Sequence, residues 1–275
     1  MAASKKTSNF LEKLTPILLI ATIALAFIVG NLWEKVNRLE GGTSVAGQTT
    51  GGTGDQAQTG TAPAPKQVAL DDIKAVFQKD VIKFGDANAK LLFVEVADPS
   101  CPYCHIAAGL NPELNSSAGD RFKLVTDGGT YVAPVIEMKK LVDQGKASFA
   151  YIYTPGHGNG EMGTKALYCA QEKGKFWEAH DTLMTNKGYD LLNNTVKNDK
   201  AKSGELSSFL ASAIDSSFLK SCLDSGKYDG RLQSDIALAQ ELGVRGTPGF
   251  FVNDKNFAGA YNYKDMEPAV NEALK

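Results

Sequence analysis

The chain contains only four cysteines, three histidines and two tryptophans among its 275 residues. Four cysteines are too few for a small domain held together mainly by disulfides. The sequence also lacks a surplus of either charge, because 29 lysines and arginines oppose 31 aspartates and glutamates, giving a net charge of −2. This balance removes the strongest argument for a nucleic-acid-binding protein, since phosphate recognition needs a clustered cationic surplus. The 43% apolar and 22% charged fractions are those of a globular chain.

Charged side chains are absent from residues 14–32, which lead directly into Trp33. In a helix these 19 residues would extend ~28 Å, about the thickness of the hydrocarbon core of a bilayer. We therefore predict a membrane anchor over residues 14–33, preceded by a short cytoplasmic tail over residues 1–13. A cleaved signal peptide is the alternative, although its apolar region is normally shorter and no good cleavage pattern of small residues follows Gly30.

Leucine, isoleucine and aromatic residues are absent from residues 41–66. Such a segment cannot bury enough apolar surface to offset the entropy of ordering it, so we predict a flexible linker over residues 34–66. Three lysines precede the apolar segment, whereas one lysine and one arginine follow it closely. The positive-inside rule then favours a cytoplasmic amino terminus at the cell membrane, with the rest of the chain on the extracytoplasmic side.

Residues 67–275 alternate between strand and helix patterns without a second linker. The near-continuous apolar run at residues 91–97 is typical of a strand that is buried on both faces. The other predicted elements of the sheet region are a helix over residues 133–144, strands over 147–153, 249–252 and 257–260, and a last helix over 264–274. From about residue 157 to residue 240 the apolar period is helical throughout. The pattern predicts one α/β domain with an inserted all-helical block.

Cys101 and Cys104 are separated by two residues, directly after the first predicted strand and at the start of a predicted helix with Pro102 in its first turn. The free N–H groups and the positive end of the helix dipole stabilise a thiolate at the first cysteine. We therefore expect Cys101 to be an exposed nucleophile with a low pKa. Cys104, one turn further in, is expected to be more buried and to form and open a disulfide with Cys101.

Other interpretations of this cysteine pair are weaker. A zinc site usually needs a second close pair, and the other two cysteines stand alone. His105 completes a C-x-x-C-H pattern of covalent haem attachment, but the preceding buried strand and the βαβ context do not suit a haem pocket. An unreactive buried pair would not need a proline between its cysteines at the start of a helix.

Cys169 and Cys222 lie on predicted helices of the inserted block. They are either two free core cysteines or a structural disulfide, and an extracytoplasmic location favours the disulfide. The bridge would close a loop of about 53 residues, which corresponds to roughly 4 kcal/mol in the chain-entropy account.

Three segments together resemble those of the membrane-anchored, DsbA-like thiol–disulfide oxidoreductases of the thioredoxin superfamily. They are VEVADPSCPYC at residues 94–104, GKFWEAHD at residues 174–181 and LGVRGTPGFFVN at residues 242–253. The resemblance implies a thioredoxin fold with an inserted all-helical subdomain, here preceded by the predicted transmembrane helix and linker. It also implies disulfide exchange with protein substrates, with no cofactor and no metal.

The same resemblance assigns roles to single residues. It implies that Cys101 is the attacking cysteine and Cys104 the resolving one. Pro248 matches the family's cis-proline, which faces the active site, and the backbone of Thr247 before it is then placed to pair with an extended substrate. Glu95 matches the family's buried acid, which could relay protons to and from Cys104. The alternative for Glu95 is an edge-strand residue that faces water.

Pro102 and Tyr103, between the two cysteines, are expected to contribute to substrate binding together with Thr247 and Pro248. His105 is considered for tuning the charge near the first cysteine, whereas His157 and His180 are assigned no catalytic role. Residues 111–131 are not part of the family's usual pattern.

The predicted function is the introduction of disulfides into extracytoplasmic proteins. The expected partners are unfolded or reduced proteins and a membrane redox partner that reoxidises the cysteine pair. Disulfide isomerases of the superfamily carry a folded dimerisation domain where this chain has the predicted linker, so the resemblance favours a monomer. Two alternatives stay open: a disulfide reductase or isomerase that uses the same site, and an anchored interaction protein without enzymatic activity.

Overall fold

A computed structural model of the protein describes residues 68–275, which belong to one compact unit. The predicted tail, anchor and linker over residues 1–66 lie outside the described residues. Within residues 68–275, the search for a helix with the length and apolar character needed to cross a bilayer finds none.

The described residues form five strands, eleven α-helices and several shorter helical turns. In chain order the regular elements are α1 (Leu70–Val76), β1 (Ile82–Phe84), β2 (Leu92–Ala97), α2 (Pro102–Ala108), α3 (Pro112–Ser117), α4 (Pro134–Asp143), β3 (Ser148–Tyr153), α5 (Glu161–Gln171), α6 (Phe176–Leu183), α7 (Asn186–Asp190), α8 (Ser203–Phe209), α9 (Ser216–Ser225), α10 (Asp229–Glu241), β4 (Gly249–Val252), β5 (Lys255–Ala258) and α11 (Tyr263–Ala273). The shorter turns are 3₁₀ segments at Asp120–Phe122, Val125–Asp127 and Lys200–Lys202, and a π-helical segment at Leu191–Val196.

The strands form one mixed sheet in the order β1-β3-β2-β4-β5. β2 and β3 are parallel, as their connection through α4 predicts, and the other neighbouring pairs are antiparallel. Every residue of β2 and β3 is buried, which explains the near-continuous apolar sequence of these two strands. The predicted α/β class is therefore confirmed.

Alternate residues of β2 enter two different apolar clusters. Leu92, Val94 and Val96 pack on the side of α1 and α10. Phe93 and Ala97 pack on the opposite side, with the helices α2, α5 and α6. Because side chains alternate along a strand, Glu95 lies on this second side, beneath the start of α2.

Between β3 and β4 the described chain forms helices and no strand. Within this helical block, α5 packs against α6 and α9, and α10 packs against β3. A disulfide between Cys169 of α5 and Cys222 of α9 joins two of these helices across a separation of 53 residues.

The segment over residues 111–131 folds beside α2. Its helix α3 is capped by the preceding Asn111, whose side chain accepts a hydrogen bond from the N–H of Leu114 (3.1 Å). Further along, Phe122 and Tyr131 pack with Ile106 of α2 in a small apolar cluster of their own. The segment therefore forms one wall next to the cysteine pair.

Candidate active site

Cys101 is the residue directly before α2, and Cys104 lies in the first turn of that helix. Both cysteines are free in this structure. Cys104 is fully buried, and its Sγ accepts a hydrogen bond from the N–H of Asp98 at 3.5 Å. Cys101 is only 4% exposed, so the expectation of an exposed nucleophile is wrong. Two loops close over it, one of which brings Gly156 so near that a Cβ there would lie 3.4 Å from the Cys101 Cβ.

The two thiols have opposite acidities. The pKa of Cys101 is lowered to about 6, first by a hydrogen bond from Cys104 and then by the Thr247 hydroxyl and the N–H groups of Cys104 and Tyr103, which together outweigh its burial. Burial raises the pKa of Cys104 well above its ordinary value, and the neighbouring Cys101 raises it further. In the reduced protein the charge is therefore held on Cys101, and the proton on Cys104.

The other loop over the cysteine pair contains Thr247 and Pro248, which are joined by a cis peptide bond. The Sγ of Cys101 lies 3.4 Å from the carbonyl oxygen of Thr247, which accepts its hydrogen bond when the thiol is protonated. The structure thus brings Thr247 and Pro248 to the cysteines from a position 146 residues further along the chain.

Tyr103 is 45% exposed, and the centroid of its ring lies 5.8 Å from that of Phe122 in an edge-to-face arrangement. Together with Thr247 it lines a cavity of about 630 Å³, which also includes Arg121 and Tyr261. This cavity starts at the loop beside Cys101 and extends along the wall formed by residues 111–131.

Glu95 lies on β2 and is 1% exposed, so the alternative of a water-facing edge residue is wrong. Neither carboxyl oxygen has a hydrogen-bond partner among the described residues. Burial raises the pKa of Glu95 to about 7, although the charge of His180 lowers it in part. The charge of Glu95 in turn contributes to the raised pKa of Cys104. A carboxyl with this pKa can give and take a proton at neutral pH.

His105 does not supply a positive charge to Cys101. Its ring nitrogens lie 3.0 Å from the carbonyl oxygen of Met184 and 2.8 Å from that of Pro99. Burial lowers its pKa to about 4, so the ring is neutral at pH 7. Because both nitrogens face carbonyl oxygens inside the protein, His105 is also unsuited to hold a haem iron. No group of three metal-binding side chains occurs within the described part of the chain.

Sequence reasoning missed the role of Asp98. Its fully buried carboxylate accepts hydrogen bonds from the N–H and hydroxyl groups of Ser100 (2.8 and 2.7 Å) and from the N–H groups of Gly156 (2.8 Å) and His157 (2.9 Å). Asp98 therefore ties the loop over Cys101 to the turn before α2. An acidic residue directly after a buried strand does not by itself predict this role. The loop residues that donate hydrogen bonds to Asp98 lie 58 and 59 positions further along the chain.

Glycine is required at position 160 because the loop passes very close to the side chain of Asp98. A Cβ built on Gly160 would lie 1.8 Å from an oxygen of Asp98, so only glycine lets the loop approach this carboxylate. Asn193 from the helical block adds a further tie, because its side-chain amide donates to the carbonyl oxygen of Ser100 at 3.1 Å. The active-site loops are thus held by groups from three separate parts of the chain.

Two kinds of protein are similar to this chain in sequence. Disulfide bond formation protein D of Bacillus subtilis is 24% identical over 199 residues, which cover 70% of this chain and 76% of that protein. The Na⁺/H⁺ antiporter NhaA 3 of Salinispora tropica is 27% identical over 197 residues, which cover 69% of this chain and 24% of that protein. The chain thus spans about a quarter of the length of the antiporter relatives that it matches.

A crystal structure of a variant of alpha-DsbA1 from Wolbachia pipientis matches with a TM-score of 0.54 and 17% identity, covering 75% of this chain and 96% of that one. This likeness shows a thioredoxin-like α/β fold. A family model described as Thioredoxin matches residues 135–272, which include the cis-proline loop and follow the cysteine pair. With half of its length matched by that model, the chain belongs to the thioredoxin family.

Proposed function

We propose that the protein is a thiol–disulfide oxidoreductase that introduces disulfides into protein substrates through Cys101 and Cys104. The observation that carries this proposal is the opposite acidity of the two thiols, with the pKa of Cys101 lowered to about 6 and that of Cys104 raised. A thiolate at neutral pH is the form that exchanges disulfides. The 24% identical relative named as a disulfide bond formation protein is consistent with this chemistry.

In the proposed reaction, a substrate thiolate attacks Sγ of Cys101 in the Cys101–Cys104 disulfide. A mixed disulfide forms, and the electron pair of the broken bond leaves on Cys104, which takes up a proton from Glu95. A second substrate thiolate then attacks the mixed disulfide at the substrate sulfur. The substrate leaves with its new disulfide, and Cys101 departs as the stabilised thiolate.

The lowered pKa of Cys101 favours this direction of exchange. A thiolate that the protein stabilises makes the reduced form more stable, and the disulfide then becomes the stronger oxidant. A disulfide reductase or isomerase would use the same residues with a lower reduction potential. We therefore propose the oxidase, which requires a redox partner that reoxidises the cysteine pair.

Substrate proteins are proposed to dock in extended form along the backbone of Thr247, beside Pro248 and over Pro102. Tyr103 is exposed at this point and lines the cavity of about 630 Å³, which offers aromatic rings together with the charged residues Arg121 and Asp265 to the residues next to the substrate cysteine. An unfolded or reduced protein can present such a segment, whereas a folded one rarely does.

For the whole chain we propose a monomer anchored in the cell membrane by residues 14–33. Residues 34–66 would be a flexible linker to the catalytic unit on the extracytoplasmic side. The absence of charge in the first segment and of large apolar residues in most of the second supports this arrangement. The redox partner is accordingly expected in the same membrane.

The experiment is to trap substrates with Cys104→Ala in cells, where a mixed disulfide at Cys101 can no longer be resolved by the second cysteine. We expect protein adducts that are released by reductant and that are absent from the Cys101→Ala, Cys104→Ala double variant. The reduction potential of the full chain then assigns the direction. A variant whose Cys101 reacts with an alkylating reagent but captures no protein would contradict the proposed function.

A further inference from the structure

Among the described residues, Arg121 is the only cation that lines the cavity of about 630 Å³ beside the cysteine pair. It belongs to the 3₁₀ turn Asp120–Phe122 and is exposed. Its guanidinium carbon lies 4.4 Å from the centroid of the Phe122 ring. Within residues 68–275 the guanidinium has no ion-pair or hydrogen-bond partner. Its N–H donors are therefore available to a ligand that enters the cavity.

The Phe122 ring connects Arg121 to the cysteine pair. Tyr103, which stands between the two cysteines in the sequence, packs on this ring at 5.8 Å, and Tyr131 packs on it at 5.6 Å. Phe122 itself is buried, and the cation–π attraction of its ring holds the guanidinium in place. Arg121 thus supplies a cation of defined position in the same aromatic cluster as Tyr103.

The wall that carries this cation is fixed by polar contacts on both sides. The side-chain amide of the fully buried Asn115 donates to the carbonyl oxygens of Phe122 (3.1 Å) and of Ile106 in α2 (3.2 Å). The side-chain amide of Asn262 donates to the carbonyl oxygen of Thr130 at 3.0 Å. These bonds join the wall to the helix of the cysteine pair and to the loop before α11. A charge on such a wall is preorganised, so less entropy is lost when it binds a partner.

A carboxylate also lines the cavity, and it lies in a different part from the cation. Asp265, in the first turn of α11, lines this cavity and also a second one of about 900 Å³. Neither Tyr103 nor Thr247 lines the second cavity. No ion pair joins Arg121 to Asp265 in the described part of the chain. We therefore assign the cation to the part of the cavity near the cysteines, and the carboxylate to the part that continues into the second cavity.

We propose that Arg121 is a specificity-determining residue that binds an acidic side chain of the substrate protein, a few residues from the cysteine that attacks Cys101. The substrate class is then reduced proteins in which an aspartate or glutamate accompanies the reacting cysteine. The inference rests on the proposed function, because it names the protein thiols that the cysteine pair prefers. Since residues 111–131 are not part of the family's usual pattern, the preference belongs to this chain's own segment.

The geometry of a guanidinium suits this partner. Its planar fork donates two parallel N–H bonds to the two oxygens of one carboxylate. A lysine of the substrate at the same place would face a like charge. In an extended chain docked along Thr247, successive side chains point to opposite sides. An acidic residue one position too near or too far therefore points away from Arg121, so the preference depends on its distance from the substrate cysteine.

The test measures how fast short peptides reduce the Cys101–Cys104 disulfide of the full chain. Each peptide has a single cysteine and carries either glutamate or glutamine at one position within about four residues of it. The thiolate of one peptide attacks Sγ of Cys101, and the electron pair of the broken bond leaves on Cys104. A second peptide thiolate then attacks the mixed disulfide at the peptide sulfur. Two peptide thiols thus become one peptide disulfide, and both cysteines are reduced.

The rate constant of the first attack is read from mass spectra of acid-quenched samples. In the unmodified chain we expect glutamate to raise this rate constant about threefold to fivefold over glutamine at one preferred position, as for an ion pair between partly exposed groups. The two adjacent positions should show a smaller effect. In Arg121→Gln the ratio at the preferred position should fall to about the ratio at the other positions. Comparing the two proteins with the same peptides cancels the effect of glutamate on the peptide thiol itself.

Lys123→Gln is the matched control. Lys123 lies on the same segment and its substitution removes the same charge, but it does not line the cavity. We expect this variant to keep the glutamate preference of the unmodified chain. Equal losses in Lys123→Gln and Arg121→Gln would mean that the net charge of the segment attracts the peptide without a contact at Arg121. That result would overturn the proposal.

Arg121→Lys separates charge from geometry. Lysine keeps the positive charge but has no planar fork. We expect part of the glutamate preference to remain, with a weaker dependence on position. The comparison of peptides in the unmodified chain needs no variant, so it is independent of how well any variant folds. A glutamate preference that is absent there at every position, or unchanged in Arg121→Gln, would also overturn the proposal.

Peptide rates and the capture of proteins in cells keep the two proposals distinguishable. If Cys104→Ala captures no protein while the peptide rates depend on Arg121, the proposed function fails and the inference about Arg121 stands. If protein adducts form and glutamate peptides have no advantage over glutamine peptides, the inference about Arg121 fails and the proposed function stands.

Discussion

The chain contains two cysteine pairs that differ in every respect except burial. Cys101 and Cys104 are three positions apart, free, and surrounded by polar groups from three loops. Cys169 and Cys222 are 53 positions apart and bonded to each other across two helices of the helical block, although all four cysteines belong to the same apolar cluster. The comparison teaches that burial alone does not set the acidity of a thiol, since Cys101 and Cys104 are both buried and their pKa values shift in opposite directions. The hydrogen bonds and charges around the sulfur distinguish a reactive pair from a structural one.

The largest expected effect is on exchange activity. Replacing Cys101 with serine should abolish turnover with dithiothreitol and glutathione disulfide, because no other free thiol among the described residues has a lowered pKa. Replacing Cys169 and Cys222 together with serine should leave turnover within about twofold at 25 °C, if their bridge only stabilises the fold. Comparable losses in the two variants would show that the pairs are not functionally separate.

The second effect is on the free energy of unfolding. Here the larger change is expected from the Cys169–Cys222 pair and not from the Cys101–Cys104 pair. Loss of the Cys169–Cys222 bridge should lower the free energy of unfolding by roughly 4 kcal/mol, since the bridge closes a 53-residue separation in the unfolded chain. Urea unfolding of the double serine variant measures this difference. An unchanged unfolding midpoint would indicate that the bridge adds nothing to the stability of the helical block.

The third effect concerns the buried acid beneath the reactive pair. The folded protein raises the pKa of Glu95 from 4.5 to about 7, so the stability contributed by the bound proton is present below pH 4.5 and is lost as the pH rises through 7. Glu95→Gln should therefore be more stable than the unmodified chain by roughly 3 kcal/mol at pH 8, with the difference vanishing near pH 4.

This measurement is made with the Cys101–Cys104 disulfide closed, so that neither cysteine titrates. The comparison of the two proteins at each pH also removes the contribution of Asp235, another buried acid whose pKa is raised to about 6. A constant difference between the two curves would mean that folding does not shift the pKa of Glu95.

The smallest effect is on the acidity of the reactive thiol. The rate of Cys101 alkylation in the reduced protein should rise with pH to half its maximum near pH 6, as the thiolate forms. Thr247→Val removes one hydroxyl that lowers the Cys101 pKa and should move this midpoint upward by ~0.5–1 pH unit. Thr185→Val, which removes a hydroxyl that caps α7 in the helical block, should leave the midpoint unchanged.

The core of the fold was predictable because its strands are long and apolar. β2, β3 and β4 begin and end within one residue of their predicted limits, and α4 within one residue at each end. β1 has only three residues and leaves no periodic signal. The 3₁₀ turns at Asp120–Phe122 and Val125–Asp127 depend on contacts with α2 that a local pattern does not contain.

The site residues were predictable from the sequence only where the groups that act together lie close to one another in the chain. The spacing of Cys101 and Cys104, directly after a buried strand and at the start of a helix, predicts a reactive pair. The contribution of His105 was misjudged because its position next to Cys104 does not reveal the two carbonyl groups that enclose its ring. Asp98 was missed for a similar reason, since the loop that donates hydrogen bonds to it is distant in the chain.

The alternation of side chains along β2 has a consequence for the evolution of this chain. Insertion or deletion of one residue before Glu95 would exchange the two sides of the strand, bringing a carboxyl against α1 and a valine beneath the cysteines. Such a change would retain the composition of the strand, but it would place a carboxyl in one apolar cluster and remove the buried acid from the other. Length variation in this protein is therefore expected in its surface loops, where alignment between the strand and the cysteines is not disturbed.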